Sequence, residues 1–434
     1  MNQSSWLREF ARYSSLNVLG MIGLSFYILA DTFFVSQGLG TDGLAALNLA
    51  IPFYSMIQGT ALMLGMGGGI RFAIQKHQGQ EKINRIFTNT LYLGGVAAVI
   101  FLTLALVGTH WLVGLTGASG NVYQMTHTYL QVLLCFSPAF LLNNILLCFV
   151  RNDGMPQLAM AAMIGGSLSN VVLDYIFIFP CNMGIFGAVF ATGLAPIISM
   201  AILSPFFILK KNHFRPARCR LNLRLGGGIL SGGLPSLITE ISSGVVIMVF
   251  NTILLSLEGN TGVAAYGVIA NLSLVVTSIY TGIAQGIQPI LSTSYGRREI
   301  KKMGAILGYA LITMGILSLA VYAGAYFGAE ELTAIFNREG DQLLAQLAVP
   351  GMRLYFLACP FVGFNIILSA YFAAVDRVRP AQVLSLLRGV VVIIPMAIFL
   401  SRLWGTSGVW CSFPLTELVV SLAGLGVYLK RKTN

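Results

Sequence analysis

Charge is what this chain has least of. Asp, Glu, Lys and Arg make up 9% of its 434 residues, against about 25% in soluble globular proteins, and the mean hydropathy is +0.79. Together with 56% hydrophobic residues, this excludes a water-soluble enzyme and identifies an integral membrane protein. Other absences narrow the class further. Histidine occurs four times, and the six cysteines form no CxxC pair, so neither a metal site nor a disulfide framework is indicated. The glycine run LGMGGGIRFA (Leu64–Ala73) lacks the Lys and Ser/Thr of a phosphate-binding loop, which excludes a nucleotide site there. Alternation of apolar and polar residues is missing, so the apolar stretches are helices and not barrel strands. No filter-like loop recurs between them, which argues against a channel. A Leu-Asp-Tyr at Asp174 without a Gly-x-Gly-Asp partner does not make an intramembrane protease. The polar first 13 residues carry no apolar core ending in a small-residue cleavage site, so the first helix itself is expected to direct insertion. No enzymatic activity and no cofactor are expected.

About twelve stretches are long enough to cross a ~30 Å hydrocarbon core: 14–37, 45–74, 86–108, 123–150, 157–180, 186–210, 229–256, 264–293, 303–327, 348–375, 381–403 and 407–430. Basic residues outnumber acidic ones, 26 to 15, giving a net charge of +11. Threading the spans with both termini cytoplasmic puts the basic side chains on one side, from Arg8 and Arg12 through Arg71, Lys76 and Arg151 to the tail Lys430–Lys432. The exceptions are Arg338, Arg353, Arg388 and Arg402. The basicity thus follows the positive-inside rule, and a nucleic-acid partner is not expected.

A basic stretch, KKNHFRPARCRLNLR (Lys210–Arg224), divides the chain near its middle, and the two sides resemble each other. ADTFFVSQGLGTDGLAAL (Ala30–Leu47) aligns with FNTILLSLEGNTGVAAY (Phe250–Tyr266), and MGIFGAV (Met183–Val189) with WGTSGVW (Trp404–Trp410). Pro138 and Asn143 are echoed by Pro360 and Asn365. The expected organisation is an N-lobe of helices 1–6 (1–210), a basic cytoplasmic linker (211–228) and a C-lobe of helices 7–12 (229–434). Parallel repeats of this kind are one recurring transporter plan, and prolines inside spans such as Pro138 and Pro360 allow bending between states.

Only four acidic residues fall well inside spans: Asp31, Asp174, Glu240 and Glu417. Ionisable groups at that depth are expensive and mark function by default. Asp31 aligns with Asn251 and Asp174 with Pro395, so the second half lacks both carboxylates, whereas a purely architectural role would have kept them twice. Asn170 lies one helical turn before Asp174 on the same face, and the turn at 182–184 returns Thr192 to similar depth. Two carboxylates, an amide oxygen and a hydroxyl are hard donors suited to Na⁺, and two close carboxylates can equally hold a proton. The plainer alternative is hydrogen bonding across helices. Glu240 is a second protonation site, a counter-charge for a cationic substrate, or a carboxylate satisfied by Ser242 or Ser243 and water. Arg388 and Glu417, at similar depth on antiparallel helices, are expected to form a structural ion pair.

The helix 1 pattern, SNVVLDYIFIFPCNMGIFGAVFAT of helices 5 and 6, and GLPSLITE with GVAAYGV of the second half together resemble the multidrug and toxic compound extrusion (MATE) family, in its MepA-like branch. The resemblance covers essentially the whole chain. It implies an all-α polytopic fold with two pseudo-symmetric six-helix lobes in a V shape around a central cavity, walled by aromatic and Met side chains. It implies a secondary-active antiporter that exports cationic amphiphilic drugs in exchange for Na⁺ or H⁺, with a role in antibiotic resistance. The alternative within the same superfamily is a flippase or exporter of lipid-linked or polysaccharide precursors. Residue by residue, Asp31, Asn170, Asp174 and Thr192 match the family's cation site, with the Ala188 carbonyl as a further ligand, and Glu240 matches the helix 7 acid of the NorM-type branch. Helix 10 lacks the acid that accompanies that glutamate, and Leu16 stands where many members have a proline. The expected setting is the plasma (inner) membrane, with lipids and small-molecule cations as partners and a monomer as the working unit.

Overall fold

The computed structural model describes residues 3–336 and 341–430; Arg338, Arg431 and Lys432 lie outside them. Among the described residues all regular secondary structure is helical. Three continuous helical runs break at a glycine with positive φ, namely Gly40 (φ 65°), Gly259 (φ 65°) and Gly405 (φ 56°). Divided there, and with the bent pair Gly120–Cys135 and Ser137–Asn152 taken as one span, the described residues form twelve membrane-crossing segments. These are α1 (3–39), α2 (41–75), α3 (80–115), α4 (120–152), α5 (Pro156–Ile178), α6 (Gly184–Ile208), α7 (223–258), α8 (260–296), α9 (Ile300–Phe327), α10 (342–374), α11 (378–404) and α12 (406–429).

The breaks carry the sequence repeat into geometry. Gly40 and Gly259 occupy equivalent positions, as do Gly184 (φ 62°) and Gly405. Each needs a left-handed backbone that L side chains disfavour. A tight reversal at the same place in each half is therefore encoded by a residue without a Cβ.

Two compact units form. One comprises Leu19–Ile241 with Ser292–Glu299; the other comprises residues up to Val18, Ser242–Leu291 and the chain from Ile300 onward. The first unit thus includes the beginning of α7, which the repeat alone assigns to the second half. The reason is a glycine crossing of α2 with α7: a Cβ on Gly67 would lie 1.9 Å from the Ile229 carbonyl oxygen, and one on Gly233 1.8 Å from that of Met63. Nothing larger than glycine fits where two backbones approach so closely. In the other unit the start of α1 meets α8 in the same manner, with Gly282 against Val18 and Gly286 against Ser14.

The basic stretch is not a loose linker. Phe214 is fully buried among Phe72, Phe87, Phe149 and Phe207, with ring centroids 4.7–5.8 Å apart. Backbone amides of Arg215, Ala217 and Asn222 donate to Asn84 Oδ1 (2.8 Å), Thr88 Oγ1 (2.9 Å) and Asn89 Oδ1 (2.8 Å) along α3. Buried Asp153 accepts from Lys76 Nζ (3.0 Å) and from the His213 backbone amide (2.8 Å). The strap therefore satisfies its own backbone by running along a polar row of α3. It ends at Asn222, whose side chain accepts from Leu225 N at 3.1 Å and caps α7. Hydropathy places the start of this helix later, at 229, because Arg224 interrupts the apolar window.

Candidate functional site

Glycines bring α1 against α5. A Cβ on Gly23 would meet Ile164 at 3.4 Å, and one on Gly38 would overlap Ile178 at 2.3 Å. The two parallel helices therefore keep register along their length, which levels Asp31 with the turn of α5 that carries Asp174. Gly20 and Gly23 stay helical in this contact, so they serve packing in this conformation. Between α5 and α6, Gly166 lies against the Ala195 carbonyl and Ser199, and Gly187 against Phe177. That close hairpin faces Asn170 toward Thr192.

All five residues expected at the cation site come together in one unit. Asp174 and Asn170 are fully buried, Thr192 is 4% exposed and Asp31 7%. The carboxyl groups of Asp31 and Asp174 approach within hydrogen-bonding reach of each other. Asn170 Nδ2 lies 3.4 Å from Thr192 Oγ1. With the amide turned over, its nitrogen donates to Asp174 Oδ2 at 3.0 Å and its oxygen accepts from Thr192 N at 3.2 Å, matching donors to acceptors. The Thr192 hydroxyl donates to the Ala188 carbonyl at 3.1 Å. One oxygen of each carboxyl, Asp31 Oδ1 and Asp174 Oδ1, is buried without any hydrogen-bond partner. Such orphaned acceptors are costly in a dry interior, and a cation or proton between them would satisfy both. Carboxylate, amide and hydroxyl oxygens are hard donors, a set suited to a hard cation or a proton.

The sequence reading missed three tyrosines. Tyr129 of α4, 4% exposed, directs its hydroxyl toward Thr192 and within electrostatic reach of both carboxylates. The Tyr27 and Tyr54 hydroxyls are 2.7 Å apart, and both lie within electrostatic reach of Asp31. Tyr27 precedes Asp31 by one turn, a spacing that could have revealed it. Tyr129 comes from a helix with no acidic residue of its own, and only packing shows it.

Glu240 sits on α7 within this same unit, half-buried, with its stem against Gly59 of α2 and its carboxylate within reach of Tyr54. It therefore lies nearer to the first-half site than its place in the second half of the sequence suggests.

Arg388 and Glu417 meet in the other unit. Arg388 donates from Nε (3.1 Å) and Nη2 (2.9 Å) to Glu417 Oε1. Asn365 Nδ2 donates to Glu417 Oε2 at 2.7 Å, and Ser421 Oγ lies 3.2 Å from Asn365 Oδ1. A π-helical turn at Leu387–Val391 aims the guanidinium inward. Arg353 falls within α10, half-buried, and donates to Glu330 Oε1 (3.4 Å) and to the Tyr326 carbonyl (3.2 Å). Arg151, assigned to a loop, is 3% exposed beside Met66 and Cys148.

Comparison with known proteins agrees with this architecture. Multidrug export protein MepA of Staphylococcus saprophyticus subsp. saprophyticus is 23% identical over 438 residues, covering 99% of this chain and 95% of that protein. A crystal structure of MATE in complex with MaL6 superimposes with a TM-score of 0.92 at 25% identity, covering 98% of this chain and 95% of the other. An outward-facing multidrug resistance MATE family transporter of the MOP superfamily shares the fold, with a TM-score of 0.90 at 24% identity over 98% and 95% of the two chains. The MatE family model matches residues 18–176 and 235–399, one stretch in each half, and the chain belongs to the MatE family.

Proposed function

We propose that the chain is a secondary-active multidrug exporter that moves cationic amphiphilic compounds outward in exchange for Na⁺ or H⁺. It works as a monomer in the plasma membrane with both termini cytoplasmic. It is a transporter and not an enzyme, and it needs no cofactor beyond the coupling ion. The observation that carries this reading is the pair of buried, partly orphaned carboxylates of Asp31 and Asp174, in a chain whose relatives are multidrug exporters.

Asp31 and Asp174 would supply the charge that holds the ion. Asn170 and Thr192 position Asp174 and offer further oxygen donors, and the Ala188 carbonyl is available when the Thr192 hydroxyl rotates away. An ion bound there removes the repulsion between two carboxylates, so it favours the conformation in which they stay together. A drug that favours the opposite conformation is then coupled to the ion through their opposed preferences. Glu240 offers a carboxylate to a cationic substrate or takes a proton when the substrate leaves. A flippase for lipid-linked precursors would need unneutralised cations within the membrane. Arg388 is held by Glu417 and Arg353 by Glu330, which favours a cationic cargo.

The test is efflux of a fluorescent cationic dye from proteoliposomes under separately imposed Na⁺ and H⁺ gradients. One gradient should drive efflux in the wild type and neither in Asp31→Asn or Asp174→Asn. Normal rates in both variants would refute the coupling role.

A further inference from the structure

We infer that the basic end of the bundle carries a binding site for a phosphoryl anion, supplied by the headgroup of an anionic phospholipid. A cavity of about 280 Å³ opens there, lined by Arg71 of α2 and by Asn222, Arg224, Leu225 and Gly228 at the start of α7. This is roughly nine times the volume of a water molecule in the liquid, enough for a phosphate with its glycerol.

Three features set this cavity apart. Its lining holds two guanidinium groups and no carboxylate. Gly228 makes room for the Arg71 fork, since a Cβ there would come within 3.2–3.4 Å of its Nη2, Nε and Cζ. The guanidinium is thereby laid over the first turns of a helix whose N-terminal dipole adds to the positive field. Planar forks of this kind match phosphate oxygens in a bidentate manner. The third feature is the apolar surroundings. Leu223 is 81% exposed and Leu221 43%, so side chains suited to acyl chains flank the polar cavity. A soluble anion has no use for them, whereas a lipid uses both parts. Basic pockets at helix ends on the cytoplasmic face are suited to anionic headgroups.

The site is distinct from the carboxylate site. It ties the strap's end, the cap of α7 and the end of α2 together at the crossing where Gly67 and Gly233 touch. Occupation would hold that crossing closed.

The experiment titrates phosphatidylglycerol into the purified full-length protein in neutral detergent and follows the thermal unfolding midpoint, with inorganic phosphate titrated in parallel. Phosphatidylglycerol should raise the midpoint saturably, and phosphate should not. Arg224→Gln, an exposed change that leaves packing intact, should weaken the apparent lipid affinity by at least about tenfold, as for loss of a charged hydrogen bond. Lys301→Gln, the same loss of charge at another exposed basic position, should leave it unchanged. A saturable shift with phosphate alone that needs Arg224 supports the anion site and assigns it to a soluble phosphate. Equal weakening by both substitutions, or no saturable shift with either anion, overturns the inference.

Discussion

Two buried carboxylate sites, one in each compact unit, use the same chemical group to opposite ends. Glu417 has both oxygens engaged, one by a two-donor Arg388 contact and the other by Asn365. Asp31 and Asp174 face each other, and each keeps an oxygen without a partner. The first arrangement has nothing left to bind; in the proposed mechanism the second takes up one positive charge or one proton. Under the proposed function, incomplete acceptors are what separate the exchange site from the architectural one. Inventory alone does not separate the two cases, because both begin as a carboxylate in an apolar helix.

The largest effect should come from neutralising the incomplete site. Asp31→Asn and Asp174→Asn are expected to abolish gradient-driven efflux while leaving the unfolding midpoint in detergent unchanged or raised, since like-charge repulsion is removed. A large loss of midpoint in both would break the contrast with Glu417. Conversely, Glu417→Ala should lower stability by about 3 kcal/mol, because it strands a guanidinium that is only 13% exposed, and this reads out as a lower unfolding midpoint. The double change Arg388→Met with Glu417→Leu should recover most of that loss. If it also retains efflux, the ion pair is architecture. Asn170→Ala should leave folding intact and weaken ion dependence by about 10- to 100-fold, as for groups that orient ion ligands, measured as the cation concentration for half-maximal efflux. Tyr129→Phe keeps the ring and removes one hydroxyl facing Thr192. About a fivefold rise in that concentration is expected from one lost hydrogen bond, and no change would remove Tyr129 from the site.

The carboxylate site was legible in the sequence because helical spacing alone puts Asn170 under Asp174, and the asymmetry between halves singles out Asp31 and Asp174. The glycine turns were legible too, since MGIFG and WGTSG repeat in sequence what Gly184 and Gly405 do in φ. The tyrosines were not. Tyr129 reaches the site from α4 through packing that no local spacing specifies. The strap was hidden for a related reason: KKNHFRPARCR reads as a solvated basic loop, and only the buried Phe214 and the side chains of Asn84, Thr88 and Asn89 reveal that it is docked.

By itself the sequence determined the membrane environment, the twofold plan and which acids are costly, because hydropathy, charge asymmetry and repeat period are additive along the chain. Only the tertiary structure decided which of those acids are complete. Hydrogen-bond satisfaction depends on where three or four helices place single atoms within about 3 Å, and that is a property of packing, not of any one segment.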